Sequence, residues 1–346
     1  MNDLHTRGTR VFFLSFYFIM MNKMKKPRKS KNKNFLKLTF IIILLLLAAF
    51  FYYKASDVNL LQLTNSPVEQ VQTEKPADAE KLAEKAAPTE EVPLLHFAPG
   101  LEIPLCPANR KTDAGGDDHE IRKFENYAIC YRESYEQAEW SAYCLSDYQL
   151  KKNADRSNDF RSDPMISTGS AQLSDYRKSG FDRGHLTPAA DMSFSGEAMS
   201  ETFFMSNMSP QAPAFNRGIW KDLEAQVRLW VQKFGRVWIV SGPILNKDAE
   251  EYQSIGENQV AVPEYFYKVI LVPLYEDQAD RQSPDDAKTA IALGFVIPNQ
   301  KCEDSFWNYA RSIDEIEKLT GLDFYSLLPD ENENQIEKSF CLEDWK

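Results

Sequence analysis

The chain has 346 residues, with 40 Lys or Arg against 51 Asp or Glu, a net charge of −11 and five cysteines. The charge is uneven: through Lys54 there are eleven basic residues against one acid, a balance of +10 that leaves the remainder at −21. An acidic body excludes a broad basic surface for nucleic acid, so any phosphate site must be local, and a bound cation becomes more necessary there.

In chain order, residues 1–37 form a basic segment containing KMKKPRKSKNKN, followed by an uncharged apolar run at residues 38–53, LTFIIILLLLAAFFYY. That is the pattern of a signal anchor whose positive flank stays in the cytoplasm. Sixteen residues fall slightly short of the roughly 20 of a spanning helix, but Phe35 and Leu36 extend the run if Lys37 snorkels. No small-x-small cleavage site follows, so a retained membrane anchor is expected in preference to a secreted product. The apolar stretch Val11–Met21 is too short to span, and Met21 and Met24 are alternative starts. Residues 54–93 are rich in Glu, Ala, Pro, Thr and Gln. They bury too little to offset chain entropy and read as a flexible tether.

The expected placement of the body outside the cytoplasm permits disulfides. Cys130 and Cys144 flank RESYEQAE in what reads as a hairpin, so a cross-strand bridge is expected there, with Cys302 to Cys341 second and Cys106 left over; unpaired packing is the alternative. No CxxC pair is present, which argues against structural zinc.

From residue 94 to 346 the pattern is that of one domain. Alternating or aromatic-rich runs predict strands at Tyr127–Tyr131, Trp140–Leu145, Val237–Ser241, Tyr265–Val272 and Ala290–Ile297. Apolar residues at three- and four-residue intervals predict helices at Glu197–Phe203, Gly218–Phe234 and Ser305–Thr320. Runs of strands with helices between some of them indicate an α+β fold. Beginning just before the second helix, Asn216, Trp220, Glu224 and Arg228 recur every four residues, so that one stripe can address one pocket.

The chemistry concentrates in FDRGH, Phe181 to His185, and in FFMSNMSPQAPAFNRGIWKDLEAQVR downstream. His185 can be neutral near pH 7 and accept a proton from water. Asn216 and Glu224 offer oxygen ligands, direct or through water, of the kind a hard cation such as Mg²⁺ prefers. Arg183 and Arg228 offer planar donors matched to phosphate oxygens. The set suits metal-assisted cleavage of a phosphodiester. Singly, each residue has a plainer explanation: a helix N-cap for Asn216, an i,i+4 ion pair for Glu224 and Arg228, a hydrogen-bonded loop histidine for His185.

In combination, DRGH (Asp182 to His185), SNMSPQ (Ser206, Asn207, Pro210, Gln211) and NRGIWKDLE (Asn216, Trp220, Leu223, Glu224), followed by Arg228, make the chain resemble the DNA/RNA non-specific endonucleases, the endonuclease G-like family of the ββα-metal (His-Me finger) class. The resemblance runs from about Leu101 to TGLDFYSLLPD; the anchor and tether lie outside it. It implies a mainly antiparallel central sheet flanked by helices. It also implies a sugar-nonspecific hydrolase of DNA and RNA phosphodiesters that binds both polymers through their backbone phosphates. His185 would be the general base, Asn216 the direct ligand of one Mg²⁺, with Mn²⁺ able to substitute, and Glu224 would orient one of the ion's waters. Arg183 and Arg228 would bind the phosphate, as would an upstream arginine, Arg156, with Arg161 as the alternative. Asn207 would hold the site in shape, and Asp182 would orient either the loop or a neighbouring donor. The rival readings are an exported phosphodiesterase for small nucleotides and an inactive envelope domain that binds nucleic acid or protein.

Overall fold

Long apolar strands dominate the computed structural model, which describes residues 97–105, 118–275, 287 and 289–346, all within the unit Thr89–Lys346. The expected basic segment 1–37, anchor 38–53, tether 54–93 and Cys106 lie outside the described residues. In chain order the strands are β1 (His119–Lys123), β2 (Ala128–Arg132), β3 (Gln137–Ser146), β4 (Asp182–His185), β5 (Met208–Gln211), β6 (Arg236–Pro243), β7 (Ser254–Ile255), β8 (Val260–Ala261), β9 (Tyr265–Leu274), β10 (Thr289–Pro298) and β11 (Ala310–Arg311). Seven of them form one sheet in the order β1-β2-β3-β6-β9-β10-β11, and every neighbouring pair is antiparallel. The five strands expected from the sequence are β2, β3, β6, β9 and β10.

The helices are α1 (Gly196–Glu201), α2 (Lys221–Phe234), α3 (Ile313–Thr320) and α4 (Asp330–Lys338), with shorter turns between. Both faces of the sheet are covered, which is why β9 reads as an almost unbroken apolar run rather than an alternating one. On one face α2 packs Leu223, Val227, Trp230 and Val231 against Ile239, Ile270 and Phe295. On the other, Ile313, Ile316 and Ile336 pack with Trp238, Val240, Val269 and Leu271. Each such side chain contributes roughly 1.5–3 kcal/mol when fully buried. Gly235, at φ 82°, ends α2 in a conformation that a side chain would strain.

Three expectations are corrected. The β2–β3 hairpin forms, but its register sets Cys130 opposite Trp140, and Cys144 lies opposite Trp238 of β6. Cys130 and Cys144 are therefore too far apart along the ladder to bridge, and Cys302 and Cys341 are free thiols. The helix expected from Ser305 begins only at Ile313. Phe306 and Trp307 instead pack on Phe295, Trp307 also meets Trp230, and β11 pairs with the edge of β10. The stripe from Asn216 is also interrupted, because Asn216–Trp220 is a π-helical turn in which Gly218 has φ −108° and ψ −115°.

Candidate active site

Strands β4 and β5 form a separate antiparallel pair, with Asp182 opposite Gln211 and His185 opposite Met208, and the chain then passes through the π turn into α2. This is a ββα unit. Gly184 is needed within it, since a Cβ there would stand 2.1 Å from the Gln211 side chain.

His185, at the end of β4, is only 8% exposed. Its ring lies edge-on to Phe203 at 4.9 Å and to Phe160 at 5.8 Å, and its Nε2 is buried with no hydrogen-bond partner among the described residues. Burial, then the positive charges of Arg156 and Arg183, pushes its pKa down to about 3. The imidazole is therefore neutral at and well below neutral pH, as a proton acceptor must be. The two arginines are held by the same aromatic rings: Arg183 lies over Phe160 at 4.1 Å and Arg156 over Phe203 at 4.8 Å. Arg161 is directed elsewhere, over Phe204 at 3.9 Å and onto the Ser200 carbonyl. Of the two upstream candidates, Arg156 is the one whose charge bears on both His185 and Glu224.

Asn216 is not an N-cap. Its Nδ2 donates to Asp182 Oδ2 at 3.0 Å, and the same carboxylate accepts two bonds from Arg217, at 2.8 and 2.5 Å. A carboxylate only accepts, so the amide hydrogens face Asp182 and the Asn216 Oδ1 is turned away. That oxygen has no hydrogen bond among the described residues, and it suits a hard cation. Beside β4, a cavity of about 400 Å³ is lined by Leu173, Tyr176, Arg177, Phe181, Asp182 and Arg183.

Glu224 and Arg228 sit one turn apart on α2, both half-buried. They do not form the simple i,i+4 pair: Arg228 Nη1 donates to Asp191 Oδ1 at 2.7 Å, and Tyr143 donates to the other Asp191 oxygen at 2.7 Å. Lys268, from β9, is 0% exposed. Its Nζ donates to Ser241 Oγ and lies 4.6 Å from the centre of the Trp220 ring. Burial raises the Glu224 carboxyl and lowers the Lys268 ammonium, and each charge opposes the other's shift. Glu224 and Asp191 thus meet Lys268 and Arg228, and the exposed Arg156 also acts on Glu224. A buried charge is tolerated there because its counter-charges are buried with it.

Asn207 is completely buried. It donates to the carbonyls of Thr187 at 3.0 Å and Thr202 at 2.9 Å and accepts from Thr187 N–H at 3.0 Å. It clamps the backbone two residues beyond His185 and spends both amide hydrogens doing so. Sequence reasoning missed Asp191, Tyr143, Ser241 and Lys268. Only Lys268 had a signal, a lone lysine inside YFYKVILV; Asp191, in the irregular segment PAADMSF, had none.

Residues 107–331 match the family described as DNA/RNA non-specific endonuclease. This chain belongs to that family. Among its relatives, the mitochondrial nuclease EXOG of Mus musculus is 36% identical over 220 residues, covering 60% of this chain and 58% of that protein. The mitochondrial endonuclease G of Bos taurus is 31% identical over 255 residues, covering 67% of this chain and 81% of its own length. In the crystal structure of the EndoG/EndoGI complex a chain 30% identical superposes with a TM-score of 0.54, covering 63% of this chain and 91% of that one. This member of the endonuclease family therefore spans rather more than half the length of the curated EXOG relatives it matches. The expected α+β fold with a mainly antiparallel sheet is the one observed. The expected localisation, a membrane-anchored catalytic domain outside the cytoplasm, is overturned: the relatives are named as mitochondrial nucleases. Among the described residues no helix is long and apolar enough to cross a membrane.

Proposed function

We propose that this family member is a metal-dependent, sugar-nonspecific endonuclease that hydrolyses phosphodiester bonds in DNA and RNA. One observation carries the reading beyond family membership. Asp182, three residues before His185 on β4, is hydrogen-bonded to Asn216, which ties the strand of the base to the residue best suited to hold a metal.

Asn216 Oδ1 would hold Mg²⁺ directly, with Mn²⁺ able to substitute, and Glu224 would act on it through water. When bound, the ion supplies charge stabilisation to the phosphate oxygens and the leaving group. His185, kept neutral by burial and by two neighbouring arginines, takes the proton of the attacking water on its imidazole. Arg183, Arg156 and Arg228 bind the phosphate and stabilise the negative charge that grows on it in the transition state. Arg228 is pre-aimed by Asp191, and the aromatic rings of Phe160 and Phe203 hold the other two. Asn207 keeps the turn after His185 in shape. Donors that bind phosphate and not base edges would read the backbone common to both polymers.

The test incubates the full chain with circular DNA and with a long RNA, in Mg²⁺, in Mn²⁺ and in chelator. The reading predicts internal cleavage of both polymers that ceases in chelator. Turnover confined to dinucleotides, or undiminished by chelation, contradicts it.

A further inference from the structure

A second concentration of ionisable groups lies on the face of the sheet opposite α2. Asp314 and Glu317 on α3, Asp323 in the connection after it, and Glu333 and Glu337 on α4 direct their carboxylates together. They fall into two triads, Asp314, Glu317 and Glu337, and Asp323, Glu333 and Glu337, with the oxygens in each within 4.8 Å of one another. The helices make this arrangement because Ile313, Ile316 and Ile336 must enter the core, which turns the neighbouring acids of α3 and α4 towards each other.

An acidic cluster at a surface is commonplace, but Glu337 makes this one different. It is only 7% exposed, and its Oε1 is buried with no hydrogen-bond partner among the described residues. A carboxyl oxygen has thus been buried without a partner and set beside four other carboxylates. Burial first, then Glu317, Glu333, Asp323 and Asp314, pushes its pKa up to about 9. Glu317 is already oriented, since it accepts from the Phe324 N–H at 2.9 Å. Lys318, whose charge opposes the upward shift of Glu317, is itself exposed.

We propose that Asp314, Glu317, Asp323, Glu333 and Glu337 form a binding site for a hard divalent cation of the calcium type, with Glu337 the ligand shared by both triads. Several carboxylates from three chain segments suit Ca²⁺, which takes roughly 6–8 oxygens in flexible geometry; Mg²⁺ prefers to keep its waters. A bound ion joins α3 to α4 and to the segment whose Asp323 pairs with Leu105. It is a structural site, separated by the sheet from Asn216 and independent of the nuclease reading.

The test uses the full chain carrying Asn216→Ala, which removes the proposed catalytic ligand, after treatment with chelator. Tb³⁺ is the first probe, sensitised by Tyr325, whose buried phenol feels the Glu337 charge; Ca²⁺ alone is the second. Expected are saturable Tb³⁺ emission displaced by Ca²⁺ and a Tm that rises with added Ca²⁺. Glu337→Gln should weaken Ca²⁺ binding at least about tenfold while melting no lower than its parent in chelator, because the amide is nearly isosteric with the neutral acid that the raised pKa favours when no metal is bound. A paired Asp314→Asn and Glu333→Gln variant, at less buried positions, repeats the test should Glu337→Gln fail to fold. No Ca²⁺ effect at about millimolar concentration, the weak end of protein calcium sites, overturns the proposal. So does an effect that survives these substitutions.

Discussion

Asp182 Oδ2 accepts a hydrogen bond from Asn216 Nδ2 at 3.0 Å, and this bond decides which end of the asparagine amide is free for a metal. Removing the acceptor-only carboxylate with Asp182→Ala leaves the amide free to rotate. Partners of this kind typically cost roughly 10–100-fold in metal affinity when lost. The expected outcome is a rightward shift of that size in the Mg²⁺ dependence of DNA cleavage, with most of the rate recovered at high Mg²⁺. An unchanged Mg²⁺ titration would remove Asp182 from this role.

As the proposed base, His185 would link pH to both stability and activity. Its pKa lies near 3 in the fold against 6.5 ordinarily, so between these values the unfolded chain binds the extra proton. Stability therefore rises with pH across that window; the full value holds above 6.5 and is lost as pH falls towards 3. Replacing His185 with Gln should flatten the stability profile between pH 3 and 6.5, measured by denaturant unfolding. Arg156→Ala removes one of the charges holding the pKa down, so the acid limb of kcat/KM should move to higher pH. A limb that stays in place would separate Arg156 from the base.

Lys268 is completely buried, and the Glu224 charge acts on it. Lys268→Met removes the main positive charge acting on Glu224, while Asp191 keeps Arg228 and Tyr143, and should cost about 3 kcal/mol, the magnitude for breaking a buried pair from one side. Adding Glu224→Gln should restore part of that loss in a double-mutant cycle by denaturant unfolding. Strict additivity of the two substitutions would mean the pair is not coupled.

Asn207→Ala leaves two buried carbonyls and one buried N–H without their partner, a loss on the order of 3 kcal/mol. Its activity at low temperature, where the fold persists, should fall without any change in Mg²⁺ dependence. A shift in the Mg²⁺ titration would instead give Asn207 a place at the metal.

The sequence made the large sheet legible because its strands are long and apolar: the runs at Tyr265–Val272 and Ala290–Ile297 both lie inside ten-residue strands. The site strands were not legible as strands. DRGH and MSPQ are four residues each, polar or broken by Gly and Pro, and their pairing follows from tertiary packing of Gly184 under Gln211. His185, Arg183, Asn216, Glu224 and Arg228 could be named from residue type and motif, yet the regular stripe expected from Asn216 yields to a π turn at Gly218. The charges behind them come from distant segments, Asp191 from a loop and Lys268 from β9, and no local spacing announces such a meeting. The cysteine pairing failed for a related reason, since register and not sequence separation decides which residues face each other.

The central claim is that His185 is the general base of a metal-dependent nuclease, and His185→Ala tests it most directly. Cleavage of circular DNA and of RNA by the folded variant in Mg²⁺ should fall by about 10²–10⁴-fold, the usual share of a positioned base, with Mg²⁺ affinity retained. Metal-dependent cleavage that proceeds undiminished in this variant would contradict the account.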